Sequence, residues 1–150
     1  MKGQWTNIYS GNLALRSWWV DSVNDCKYVS ILLPEVFGIN NWIRSFSEKL
    51  AQQNVPVLAL PLYGRTAPNL DLEYSEEDLK LGRHHKNLTT LKNIIEDVSA
   101  AINWVKEKYP SKKISIIGFC FGGHAAFIAS SLKGIELSLI HISEPTRPQA

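Results

Sequence analysis

Cys120 stands in the run Gly118-Phe119-Cys120-Phe121-Gly122-Gly123, directly after the apolar stretch Ile114-Ser115-Ile116-Ile117. A reactive side chain with glycine two positions before it and two after has the form of a nucleophile elbow, here with cysteine where serine usually stands. The chemistry that such a residue offers is attack by a thiolate on an electrophilic carbon. Bulky side chains at 118 and 122 would collide where a strand turns sharply into a helix, so glycine suits both places. The N–H groups at the start of that helix would face the sulfur and favour its anion. The plainer reading of Cys120 is a small buried hydrophobe. The preceding strand and the flanking glycines favour the nucleophile. Glu35 lies 85 positions earlier. Its plainer reading is a solvated loop carboxylate, and its functional reading is a base beside the thiol.

The elements around these two residues decide whether they can meet. Ile8 to Arg16 reads as two strands around a Gly11-Asn12 turn, with Trp18, Trp19 and Val20 extending the second. Lys27 to Leu33 is a near-continuous β-prone run ending at Pro34, as expected of a strand buried on both faces. Asn40 or Asn41 can cap a helix carrying Trp42, Ile43, Phe46 and Leu50. Val55 to Leu60 is a further buried strand. Pro61 to Lys86 reads as a long excursion with an acidic cluster at Glu73, Glu76, Glu77 and Asp78. Leu88, Leu91, Ile95, Val98, Ile102 and Val105 form an amphipathic stripe whose helix stops before Pro110. A strand over 113–117 leads into the elbow and a helix to about Leu132.

This alternation predicts an α/β fold with a mostly parallel sheet and helices on both faces. Right-handed crossovers then bring the C-terminal ends of the strands to one edge, where open α/β sheets bind ligands. Glu35 and Cys120 each follow a strand, so both are expected on that rim.

Composition narrows the function. The chain has 150 residues and is 45% hydrophobic, enough for one domain with a sizeable core. Sixteen basic residues against fourteen acidic ones, with no Lys/Arg stripe, argue against a nucleic-acid partner. No apolar run reaches membrane-span length, so no membrane partner is expected. Two cysteines, Cys26 and Cys120, make no disulfide framework, and a reduced, cytoplasmic setting is the default expectation. Nothing in the sequence sets an oligomeric state.

Three motifs in order then carry a family likeness. Leu33-Pro34-Glu35-Val36-Phe37-Gly38-Ile39-Asn40, Pro61-Leu62-Tyr63-Gly64-Arg65-Thr66-Ala67-Pro68 and Gly118 to Gly123 resemble the dienelactone hydrolase family over roughly residues 5–136. The resemblance implies an α/β-hydrolase fold and hydrolysis of a small-molecule ester or lactone through a cysteine acyl-enzyme, with no cofactor. It implies that Glu35 helps to generate the Cys120 thiolate, and that the backbone N–H groups of Val36 and Phe121 form the oxyanion hole. A carboxylate next to a thiol is a base but also opposes a second negative charge, and the family resolves this by moving the glutamate when substrate binds. Family members hold a substrate carboxylate with arginines, and Arg83 is the candidate here. The family's triad also needs an aspartate and a histidine after later strands, and the chain is expected to end before either. The alternative function is therefore a catalytically incomplete fragment of such an enzyme.

Other candidates weigh less. His84-His85 lacks further ligands at metal-binding spacing, so no metal is expected. No G-K-[ST] follows the glycines, which excludes a phosphate loop. A redox sensor would want a resolving cysteine, for which Cys26 is the sole candidate. Trp18 and Trp19 read as strand packing. Leu137 to Arg147 resembles the translation of a transposase sequencing adapter, so the domain is assigned to 1–136 and a non-native tail to 137–150. The other reading of that segment is a strand on the alternation of Leu137, Leu139 and His141.

Overall fold

The computed structural model describes residues 2–119 and 121–141, with the side chains at 137 and 139–141 left aside. Cys120 and residues 142–150 lie outside the described residues. The elements in chain order are β1 (Gln4–Ser10), β2 (Leu13–Val20), β3 (Tyr28–Leu33), α1 (Asn41–Gln52), β4 (Val57–Ala59), α2 (Glu76–Asn87), α3 (Leu91–Lys108), β5 (Lys113–Phe119), α4 (Phe121–Ala129) and β6 (Ile135–His141). They form one sheet in the order β1-β2-β4-β3-β5-β6. β4, β3, β5 and β6 pair in parallel, and β2 runs antiparallel to both of its neighbours.

Both faces of the sheet are covered. Val29, Ile31 and Leu33 of β3 and Ile114 and Ile116 of β5 pack with Val98 and Ile102 of α3 and Ala125 and Ala129 of α4. The alternate residues Leu32 and Ile117 pack on the other face with Ile43 of α1. This alternation within apolar runs is why β3 and β5 lack a polar side. The two buried serines that interrupt the runs, Ser30 and Ser115, share a hydrogen bond of 2.5 Å and so satisfy each other.

The helices begin where side chains cap them. Asn40 accepts from the N–H of Ile43 at 3.1 Å and starts α1. The excursion expected over Pro61–Lys86 is not all loop: it ends in α2. Its start and end obey helix-terminus physics rather than apolar periodicity. Ser75 caps it by accepting from Asp78 N–H, Glu76, Glu77 and Asp78 fill its first turn, and His84, His85 and Lys86 fill its last. Thr90 caps α3, so the expected stripe is shifted. Leu88 and Leu91 are exposed, and the buried arc is Ile94, Asp97, Val98, Ala101, Ile102 and Val105. Each aliphatic side chain longer than alanine on that arc contributes on the order of 2 kcal/mol by leaving water.

β6 crosses the boundary expected at Glu136: its backbone pairs with β5 as far as Phe119↔His141. Among the described residues no helix is long and apolar enough to cross a membrane.

Candidate active site

The loop that follows β3 is buried throughout, from Pro34 to Asn40. Glu35 is 1% exposed, which replaces the solvated loop carboxylate by a buried one. A buried carboxylate is costly unless donors face it. The Tyr74 hydroxyl donates to Glu35 Oε1 at 3.3 Å. Tyr74 is brought there by the segment before α2, which is tied to the Glu35 loop several times. Leu72 N–H donates to Phe37 O at 3.0 Å, and Asn40 Nδ2 donates to Leu72 O at 3.1 Å. Arg44 on α1 pairs with Asp71 at 2.9 Å, and the Phe37 and Tyr74 rings meet edge to face with centroids 4.6 Å apart.

The start of α4 packs against the same loop. β5 ends at Phe119 and α4 begins at Phe121, with the nucleophile position between them outside the described residues. A Cβ on Gly118 would overlap the carbonyl of Gly122, because strand and helix fold back on each other there. A Cβ on Gly122 would overlap the carbonyl oxygens of Leu33 and Pro34. The first turn of α4 is thus in backbone contact with the two residues that precede Glu35. The sheet register agrees, since Leu33 pairs with Gly118. Glu35 lies two positions beyond the one and Cys120 two beyond the other.

Val36 is buried, and Phe121 is half-buried. α2 approaches Val36 so closely that a Cβ on Gly82 would overlap the Val36 carbonyl. Arg83, the next residue, is exposed on that helix. Phe121 stacks on Tyr63 at 5.9 Å, and Tyr63 lies 6.2 Å from His85. Tyr63 is 3% exposed, and among the described residues its hydroxyl has no hydrogen-bond partner. Burial pushes that phenol well above its ordinary pKa, so it is a neutral donor. His85 Nδ1 is 2.8 Å from Thr66 Oγ1, and burial followed by the His84 charge lowers its pKa. Arg65 forks onto Asp97 at 2.7 and 3.0 Å and reaches Glu96 at 3.2 Å. His124, on the exposed side of α4, stacks on Phe121. Among the described residues no three His, Cys, Asp or Glu side chains cluster as metal ligands.

A buried glutamate two residues beyond one parallel strand, beside a tight strand-to-helix turn at the end of its neighbour, is the arrangement that the three sequence motifs lead to. The model of the dienelactone hydrolase family matches residues 18–141. The chain belongs to the dienelactone hydrolase family.

The relatives agree in kind. The Synechocystis sp. protein named "Putative carboxymethylenebutenolidase" is 30% identical over 132 residues, covering 86% of this chain and 54% of its own. The "Carboxymethylenebutenolidase" of Pseudomonas putida is 26% identical, covering 69% of this chain and 44% of its own. This dienelactone hydrolase family chain therefore spans about half the length of the curated relatives it matches. The Klebsiella pneumoniae crystal structure "Putative Dienelactone Hydrolase" superposes with a TM-score of 0.75 at 20% identity, covering 91% of this chain and 57% of that one. The fold is that of an α/β hydrolase.

Tyr63 and Arg65 lie inside the Pro61–Pro68 motif, which is the sequence signal for them. Tyr74 has no such signal, because its contact with Glu35 depends on how the segment before α2 returns to Phe37.

Proposed function

We propose that the protein hydrolyses carboxylic esters or lactones through a Cys120 thioester, with Glu35 as the base that helps to form the thiolate. One observation carries the reading. Gly122 packs on the carbonyls of Leu33 and Pro34, which brings the start of α4 against the residues preceding Glu35. Cys120 loses its proton towards Glu35, and its sulfur attacks the acyl carbon. The charge on the carbonyl oxygen is met by the N–H groups of Val36 and Phe121, the latter at the first position of α4. Collapse breaks the acyl C–O bond, and the departing alkoxide takes up the proton. Water then cleaves the thioester to the free acid and restores the thiol. The substrate is a small molecule, and Arg83 is a candidate contact for a carboxylate on it.

The test is turnover of a 4-nitrophenyl ester by the wild type, Cys120→Ala and Glu35→Gln. Cys120→Ala should abolish acylation, and Glu35→Gln should slow it by roughly 10²-fold at neutral pH. Equal rates for wild type and Cys120→Ala would overturn the mechanism.

The relatives' greater length favours a second reading, in which the aspartate and histidine of the triad come from sequence beyond these residues. The chain by itself would then acylate and stop. A burst of one equivalent of 4-nitrophenol with no steady phase is its signature, and sustained turnover counts against it.

A further inference from the structure

β1 is an outer strand of the sheet: β2 lies on one side of it, and among the described residues no strand lies on the other. Proteins blunt such edges with proline, lysine, a bulge or an unusually short strand. β1 has none of these. Gln4–Ser10 is uncharged and free of proline, and its seven residues pair with β2 in unbroken register from Gln4↔Trp19 to Ser10↔Leu13.

The hairpin fixes which backbone groups stay open. Gly11 and Asn12 form a two-residue turn between β1 and β2, with Gly11 at φ 62°. The pair that closes such a turn, Ser10 and Leu13, exchanges both of its backbone hydrogen bonds. Bonded pairs recur at every second residue, so Ile8, Thr6 and Gln4 also bond to β2. The N–H and C=O groups of Trp5, Asn7 and Tyr9 therefore point away from the sheet, and among the described residues they have no partner.

These open groups are symmetric about Asn7. A second β1 laid antiparallel, with Asn7 opposite Asn7, sets Trp5 of each copy opposite Tyr9 of the other. Every outward N–H and C=O of the three residues is then paired. Their side chains share one face of the sheet. Tyr9 is 63% exposed on it, and Trp5 is a half-buried ring held under the Arg16 guanidinium at 3.7 Å. Pairing with that ring across the strands would cover Tyr9.

We propose that β1 is a self-association edge, through which two copies of the chain join into one continuous sheet about a two-fold axis at Asn7. The occupant is a second copy rather than an unrelated strand, because the open groups and the two aromatic rings complement themselves. β2 and β4 separate β1 from β3, so the contact leaves the Glu35 rim open and does not rest on the ester-hydrolase reading. One strand pair buries less than a standard interface, so the dimer is weak, with a Kd on the order of 10–100 μM.

The experiment is sedimentation equilibrium of the full chain from about 5 μM to about 500 μM, a range that brackets this Kd. The average mass should rise from that of one chain towards that of two. Amide exchange followed by NMR over the same range should slow at Trp5, Asn7 and Tyr9 as concentration rises, while Thr6 and Ile8 stay protected throughout. Asn7→Pro removes an outward N–H and no bond to β2, so the strand tolerates it and Kd should rise at least about tenfold. If that variant does not fold, Asn7→Lys decides. It sets like charges opposite each other at the axis and should weaken the dimer by a similar factor, and mixing it with Asn7→Glu should restore association. A chain that stays monomeric over the whole range overturns the proposal. So does association that the Asn7 variants leave unchanged, or concentration-dependent protection that spares Trp5, Asn7 and Tyr9.

Discussion

The hydroxyl of Tyr74 donates a hydrogen bond to the buried carboxylate of Glu35 across 39 positions of sequence. The contact is a product of loop closure. Asp71, Leu72 and Tyr74 return to the β3–α1 loop and are held there by Arg44, by the backbone of Phe37 and by Asn40. A phenol that donates to a carboxylate holds that oxygen in place and occupies one of its lone pairs.

Tyr74→Phe should therefore leave Glu35 Oε1 with one donor fewer. Under the proposed mechanism that oxygen can then accept from Cys120, and the thiolate becomes more populated. Iodoacetamide labelling of Cys120, read by peptide mass, should rise about three- to tenfold between pH 6 and 7. Cys26 serves as the internal control, because burial pushes its thiol pKa up and keeps it protonated. A labelling rate that falls would mean that Tyr74 places Glu35 rather than restraining it.

Gly122→Ala is a test of the backbone contact beneath the site. The new methyl would overlap two carbonyl oxygens, Leu33 and Pro34, neither of which can rotate away as a side chain could. The expected cost is about 2–3 kcal/mol in urea unfolding, together with loss of ester acylation as α4 is pushed from the Glu35 loop. A Gly122→Ala protein with the wild-type urea midpoint would show that the contact relaxes by backbone movement at little cost.

What the sequence revealed followed from periodicity and local chemistry. The β-prone runs at β3 and β5 and the Asn40 cap were legible because each depends on neighbours a few residues away. The start of α3 was not, because Leu88 and Leu91, apolar at helical spacing, are exposed, while Asp97 lies on the buried arc. Among the described residues Arg65, 32 positions earlier, is the partner that makes that tolerable. α2 was missed because its core-facing residue is Gly82, chosen for close approach to Val36 and invisible to any count of apolar residues. Glu35 was identified by motif, but its burial depends on the segment that ends at Tyr74. Residue types pointed to the chemistry, and long-range closure decided the environment.

The Arg65–Asp97 pair should be a source of stability through one side only. Asp97 is 1% exposed, while the Arg65 side chain is 30% exposed. Arg65→Met leaves a buried charge uncompensated and should cost about 2 kcal/mol, less than for a fully buried pair because water still reaches the site. The double variant Arg65→Met, Asp97→Leu should recover at least half of that loss. A double variant as unstable as the single would show that Asp97 contributes through something other than its charge. Urea midpoints of the three proteins decide it.

His85 should give the fold a measurable pH slope. It sits beside Tyr63 and Thr66, and its pKa lies below the ordinary 6.5, because burial and then the neighbouring His84 charge disfavour its cation. The unfolded chain therefore binds a proton at a higher pH than the folded chain does. Between the folded pKa and about 6.5 the unfolded state carries more protons, so stability rises with pH across that window. The contribution is fully present above 6.5 and is lost progressively as pH falls towards the folded value. Urea midpoints at pH 7.5, 6.5 and 5.5 should decline less for His85→Gln than for the wild type. His84→Gln should have a smaller effect in the same direction, because it removes only the second cause. A wild-type slope that survives His85→Gln would assign the titration to another group.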